Sequence, residues 1–208
     1  MIQLPGDSED YHLLTKGIEL SQKAEGITCE IGLRRGGGTK YIIDALAVYS
    51  HLKKHIAIDP YGNIEYEHKE GEIVKLDYTN QMKLEGVGNC YLYAASKFID
   101  FDFYPYEDTV FFELHKNGVP VYNQVKRMVN KYSFVHFDAA HAHLPLLTEI
   151  NFFKDRTPVG GCWVFDDVTG YYDHDAIEEH VLSLGFILIE KTNRKALYQK
   201  VGKQENKN

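Results

Sequence analysis

Cysteine is scarce in this chain of 208 residues, and Cys29, Cys90 and Cys162 are too scattered, and odd in number, for a disulfide framework or a paired-cysteine metal site. A reducing, cytoplasmic setting is the expectation that follows. Positive charge is scarce too. The 23 Lys and Arg against 30 Asp and Glu leave a formal net charge of −7, and no basic run exists to neutralise phosphates. Nucleic acid is therefore not an expected partner, and small molecules become the better class of ligand. No apolar stretch reaches membrane-spanning length, and the opening MIQLPGDSEDYHLL lacks the basic region and apolar core of a signal peptide. The expectation is a soluble protein that does not engage a membrane. No internal repeat occurs, and the polar end KQENKN reads as a frayed tail over 202–208.

What is present is enough apolar and aromatic residue, 44% and 13%, to bury one substantial core, so a single domain over 1–208 is expected, with residues 1–26 as an N-terminal helical segment. SEDYHLLTKGIELSQKA carries apolar residues at helical spacing. GITCEIGL is a short apolar run bounded by glycines, as a buried parallel strand would be, and a helix starting near Thr39 follows. HIAID is a second strand. NQMKLEGVGNCYLYAASKF reads as a helix, IDFDFY as a strand, and YEDTVFFELHKNG as a helix. YSFVHFDAAH, a helix over 144–154, GGCWVFDDV, the helix DHDAIEEHVLSLG and a closing hairpin in FILIEKTNRKALYQKV complete the order. Strands alternating with helices predict a mostly parallel sheet covered on both faces, with ligands beyond the carboxyl ends of its strands.

Acidic residues fall at those ends: Glu30 followed by Gly32, then Asp59, Asp138, and the pair Asp166 and Asp167. The loop EIGLRRGGGT places Arg34 where a dinucleotide fingerprint needs its second glycine, and no Gly-Lys-Ser/Thr follows as a phosphate loop requires. A carboxylate at Glu30 suits a positively charged or amino-bearing ligand better than a phosphate, with a solvated acid beside a loop that needs glycine only for geometry as the alternative. Asp59 stands at the distance of a ribose-binding acid, although Asp-Pro pairs also begin turns.

In this order and spacing, EIGLRRGGGT, IDPYGN, VHFDAAH and GGCWVFDDV resemble a class I S-adenosylmethionine-dependent methyltransferase. More narrowly they resemble the metal-dependent O-methyltransferases of the macrocin O-methyltransferase, cephalosporin-hydroxylase-like and rhamnosyl O-methyltransferase group, over roughly Thr28 to Val201. The resemblance implies an α/β Rossmann-like three-layer sandwich, with a seven-stranded mostly parallel sheet and a C-terminal antiparallel hairpin. It implies S-adenosylmethionine as cofactor, held by Glu30, Gly32, Gly36, Gly38 and Thr39 around the methionine portion and by Asp59 at the ribose. It implies a divalent metal, Mg by default, on Asp138, Asp166 and Asp167, and it matches His141 to the histidine of a D-x-x-H block. The family often carries a further acid where this chain has Ala140.

Residue chemistry agrees with that reading. Three carboxylates at one sheet edge repel one another without a cation, and hard oxygen ligands suit Mg, Ca or Mn. Helix capping is the alternative for Asp166 and Asp167, and it accounts for one acid only. Asp138 and His141 are the expected catalytic residues, His141 as the group that accepts a hydroxyl proton. Its alternative role is to orient Asp138 or to pack the following loop. His143 reads as surface, Trp163 as core, and the Tyr-rich pieces EYEHKEGEIVKLDY and FDFYPYED as packing or as substrate specificity. The expected function is metal-assisted O-methylation of a small-molecule hydroxyl, including that of a sugar, with homo-oligomerisation left open. A cofactor-binding protein without transfer, a nicotinamide-dependent oxidoreductase and a hydroxylase-like enzyme of the same fold are the alternatives.

Overall fold

The computed structural model describes residues 2–6, 8–62, 65–69, 71–75, 79–117, 121–122, 127–139 and 141–202. Most of the tail expected to fray, and the departure at Ala140, lie outside the described residues. The elements are α1 (His12–Leu20), β1 (Ile27–Ile31), α2 (Gly37–Tyr49), β2 (His55–Ile58), β3 (Glu65–Lys69), β4 (Glu72–Lys75), α3 (Asn80–Ser96), β5 (Phe101–Tyr104) and α4 (Asp108–Lys116). There follow β6 (Tyr132–Phe137), α5 (His143–Phe153), β7 (Cys162–Phe165), α6 (His174–Ser183), β8 (Phe186–Lys191) and β9 (Ala196–Lys200).

Seven strands form one sheet in the order β5-β2-β1-β6-β7-β9-β8. The first five are mutually parallel, while β9 runs antiparallel to β7 and β8 antiparallel to β9. The three-layer α/β sandwich with its terminal hairpin is thus the fold observed. Every residue of β1, β2, β6 and β7 is buried, because helices cover both faces and leave no solvated side for alternation to mark.

Side chains still alternate between two cores. Ile27, Cys29 and Ile31 of β1 join Val135, Phe137, Trp163 and Phe165 on the face covered by α4, α5 and α6. Cys162 and Val164 of β7 join Leu13, Leu14, Ile18, Ile42 and Leu46 of α1 and α2 on the other. All three cysteines are free and buried, and Trp163 is fully enclosed, as small hydrophobes and core aromatics would be.

Two expectations shift. The first helix spans His12–Leu20 only, its remaining turn-like residues running on to the strand. β3 and β4 form a separate two-stranded antiparallel sheet, which periodicity reading did not anticipate because β4 is mostly exposed. Among the described residues, no helix is long and apolar enough to cross a membrane.

Candidate functional site

Ladder hydrogen bonds carry the chain just past each strand end and set the acids side by side. Gly32 N–H donates to Ile58 O (2.9 Å), Asp59 N–H to Tyr104 O (3.2 Å), Asp138 N–H to Ile31 O (3.0 Å) and Asp166 N–H to Phe137 O (3.0 Å). Gly32, Asp59, Asp138 and Asp166 therefore line one carboxyl edge across neighbouring strands.

Glu30 lies one step beneath it. Period-two alternation turns its side chain away from Ile27, Cys29 and Ile31, and the register pairs it with His136 on β6. Its carboxylate accepts from the Thr39 hydroxyl and lies 2.9 Å from His136 Nδ1 and 3.9 Å from His55 Nε2. Burial opposes ionisation, yet the His136 hydrogen bond, with the His55 imidazole nearby, holds the carboxyl down at about 2. A Cβ at Gly38 would overlap Glu30 Oε1, so this glycine lets the helix start close over the buried acid. Glu30, Gly38 and Thr39 form one packed unit at the root of the loop.

Gly36 has φ +80, and a Cβ there would run into Cys90 Sγ and stand 3.0 Å from Leu4. The N-terminal segment lies on the loop: Gly6 Cα and the Tyr11 hydroxyl stand 2.7 and 2.9 Å from where a Gly37 Cβ would be. On the inner side, Asp59 Oδ2 accepts the N–H groups of Leu33 (2.8 Å) and Arg34 (2.9 Å), and Oδ1 that of Tyr61 (2.6 Å). Asp59 thereby clamps the glycine loop to the turn after β2. Burial pushes its pKa up despite those three donors.

The three metal-type acids separate into two environments. Asp166 is paired with the fully buried Lys195 ammonium, accepts from the Ser8 hydroxyl (2.9 Å) and stands beside Asp138. Burial again opposes ionisation, but Lys195 and then His136 hold Asp166 at about 2. Burial and the adjacent Asp166 carboxylate push Asp138 well above the usual carboxylate range. Asp167, with φ +53, turns elsewhere: its Oδ1 lies 2.5 Å from Arg194 Nη2 and its Oδ2 3.2 Å from His141 Nε2.

Sequence reasoning missed Lys195, Arg194, Ser8 and His136. The first two sit in the hairpin turn, which antiparallel β9 brings back to the end of β7 through Val168 N–H donating to Arg194 O (3.1 Å). The signal was available, since a last antiparallel strand must start where its parallel neighbour ends. His136 lies two residues before Asp138 and hence on the same face of β6.

His136, Asp138 and Asp166 offer ligand atoms all within 4.8 Å of one another. Among the described residues Asp138 forms no ion pair with a Lys or Arg, so one divalent cation fits this set. Beside it, an open groove of about 570 Å³ is lined by His143, Leu144, Gly170, Tyr171, Tyr172, Asp173 and Ala176. Tyr171 packs edge-on against His141 at 5.0 Å, so His141 stands at this groove. His143, expected at the surface, is half-buried in its wall.

No protein-family profile matches the sequence, and no curated protein matches it. Solved structures do match, and what they share with this chain is the Rossmann-like fold of class I methyltransferases. Particular neighbours are S-adenosylmethionine-dependent O-methyltransferases. CalS11, a TDP-rhamnose 3'-O-methyltransferase of calicheamicin biosynthesis, aligns with TM-score 0.65 and 13% identity over 91% of this chain and 78% of its own. An O-methyltransferase from Bacillus cereus in complex with S-adenosylhomocysteine gives TM-score 0.57 and 10% identity over 95% and 84%. TomG from Streptomyces achromogenes, involved in tomaymycin synthesis and bound to S-adenosylmethionine, gives 0.56 and 13% over 96% and 82%.

Proposed function

We propose that this protein is an S-adenosylmethionine-dependent methyltransferase that acts on a hydroxyl oxygen of a small molecule, a sugar being the leading class, with help from a divalent cation. The observation that carries the reading is the line of Gly32, Asp59, Asp138 and Asp166 along one sheet edge, ending at His141 and Asp167 beside an open groove. The O-methyltransferase neighbours support it through fold.

In this reading Asp59 takes the ribose hydroxyls and the backbone at Gly32 faces the methionine portion, while Gly36 and Gly38 let the loop pack closely on Cys90, Leu4 and Glu30. Glu30 and Thr39, locked together beneath, keep the loop in shape. The cofactor supplies a sulfonium methyl, and the chain places an acceptor oxygen in line with it. His141 accepts the hydroxyl proton as the oxygen becomes nucleophilic, while Asp167 orients the imidazole and stabilises its charged form. Arg194 in turn fixes Asp167. Asp138 and Asp166 would hold the cation, which would supply Lewis acidity to lower the pKa of an acceptor hydroxyl, with Asp167 as the adjoining acid.

Calorimetry tests the cofactor. S-adenosylhomocysteine should bind, and Asp59→Ala should weaken it by about 1–3 kcal/mol through lost charge-assisted hydrogen bonds. Asp59→Asn, whose amide oxygen still accepts from Leu33 and Arg34 N–H at the loss of the Tyr61 bond, separates ribose recognition from loop disorder. Binding of NAD with none of S-adenosylhomocysteine would favour the oxidoreductase alternative. Cofactor binding without transfer to any hydroxyl would leave a binding protein. For turnover, His141→Ala should lower kcat by roughly 10²- to 10⁴-fold.

A further inference from the structure

Resting on the cation reading above, we propose that His136 is a metal ligand, that Glu30 is its positioning residue, and that the resulting nitrogen-and-oxygen site takes a transition-metal dication in preference to Mg2+.

His136 is fully buried on β6, and alternation along that strand points it the same way as Asp138. Its two ring nitrogens have different surroundings. Nδ1 lies 2.9 Å from Glu30 Oε1, while Glu30 Oε2 accepts from Thr39, so both oxygens of the carboxylate act as acceptors. Nδ1 therefore carries the hydrogen, and Nε2 presents a lone pair. That Nε2 is buried, has no hydrogen-bond partner among the described residues and stands 4.0 Å from Asp138 Oδ2, too far for a hydrogen bond.

A buried acceptor without a donor is costly in a packed core, and a cation between His136, Asp138 and Asp166 would satisfy it. The carboxylate–histidine–metal order is the arrangement by which outer acids fix a ligating imidazole. Register makes it here, because Glu30 and His136 are direct partners across β1 and β6. Two carboxylates alone would suit Mg2+. An added imidazole shifts preference toward Mn2+, Fe2+, Co2+ or Zn2+, whose affinities rise along the series that nitrogen ligands follow.

The full-length protein loaded with Mn2+ and studied by pulsed electron paramagnetic resonance should show 14N coupling from a directly bound imidazole. The coupling should disappear in His136→Gln and persist in His141→Gln and His143→Gln. Thermal unfolding should place Mn2+ and Co2+ at least about tenfold tighter than Mg2+, and Glu30→Gln should weaken Mn2+ by about 10- to 100-fold. Bound Mn2+ without 14N coupling, or with coupling that survives His136→Gln, would overturn the inference and leave the carboxylate cation site standing. Absence of binding by both Mn2+ and Mg2+ would overturn the cation site as well. If His136→Gln does not fold, the wild-type spectrum with 15N-labelled histidine and the other two variants still decide the ligand.

Discussion

Replacing Asp138 and Asp166 singly by Asn should move stability in opposite directions in protein stripped of metal by chelator. From repulsion alone, removal of either acid relieves the other, and Asp166→Asn would be neutral or stabilising. The structure reverses that for Asp166, because its side chain and that of Lys195 are both enclosed and paired. Breaking a buried pair from one side leaves an uncompensated charge, at about 3–5 kcal/mol. The drop of the Asp166 pKa from 3.8 to about 2 corresponds to about 2 kcal/mol by linkage. Asn retains acceptors for Ser8 and Lys195, so a loss of about 2–4 kcal/mol is expected, lowering Tm by on the order of 10 °C. This contribution is present above pH ~4 and fades as pH falls through about 2, where the gap between wild type and variant should close. For Asp138 the folded pKa is raised, so its contribution is present below pH ~4 and lost as pH rises. At neutral pH Asp138→Asn should therefore unfold at or above the wild-type temperature. Calorimetric unfolding in chelator at pH 7 reads both. Equal shifts in the same direction would refute this division of charge.

His174 is buried, and burial followed by Lys191 lowers its pKa from 6.5 to about 4. About 3 kcal/mol of stability, present above pH 6.5, should fade as pH falls toward 4, and His174→Gln should flatten that slope in urea titrations while still reaching the Tyr198 hydroxyl (3.1 Å). A slope unchanged in the variant would place the titration elsewhere. Gly36→Ala should cost about 2–3 kcal/mol, from the left-handed backbone and the overlap with Cys90 Sγ, so loss of stability precedes any effect on ligand binding. The double variant with Cys90→Ala should recover part of it in urea unfolding, and no recovery would contradict the overlap.

Strand and helix order was legible because apolar runs such as ITCEI and CWVF are short and bounded by glycine or acid, while the helices keep the 3.6 period. The β3–β4 hairpin was not, since a small sheet outside the core imposes no apolar stripe on its strands. At the site, the acids could be placed at strand ends, but their partners could not. Lys195 and Arg194 depend on where the terminal hairpin folds back, and Ser8 on a contact spanning 158 residues of sequence. Glu30 looked like a ligand-facing acid. Alternation and register turn it toward His136 and Thr39 instead, a pairing that needs the strand order β1-β6, which local sequence does not contain. Gly36 and Gly38 looked free to admit a ligand, and the chain's own Leu4, Cys90 and Glu30 supply close neighbours.

The most direct measurement is a crystal structure of the protein grown with S-adenosylhomocysteine. The ligand should lie across the ends of β1 and β2, with its ribose hydroxyls on Asp59 and its sulfur turned toward His141 and the groove lined by Tyr171 and Tyr172. A cleft that stays empty at millimolar ligand, or a ligand seated away from Gly32 and Asp59, would contradict the methyltransferase reading.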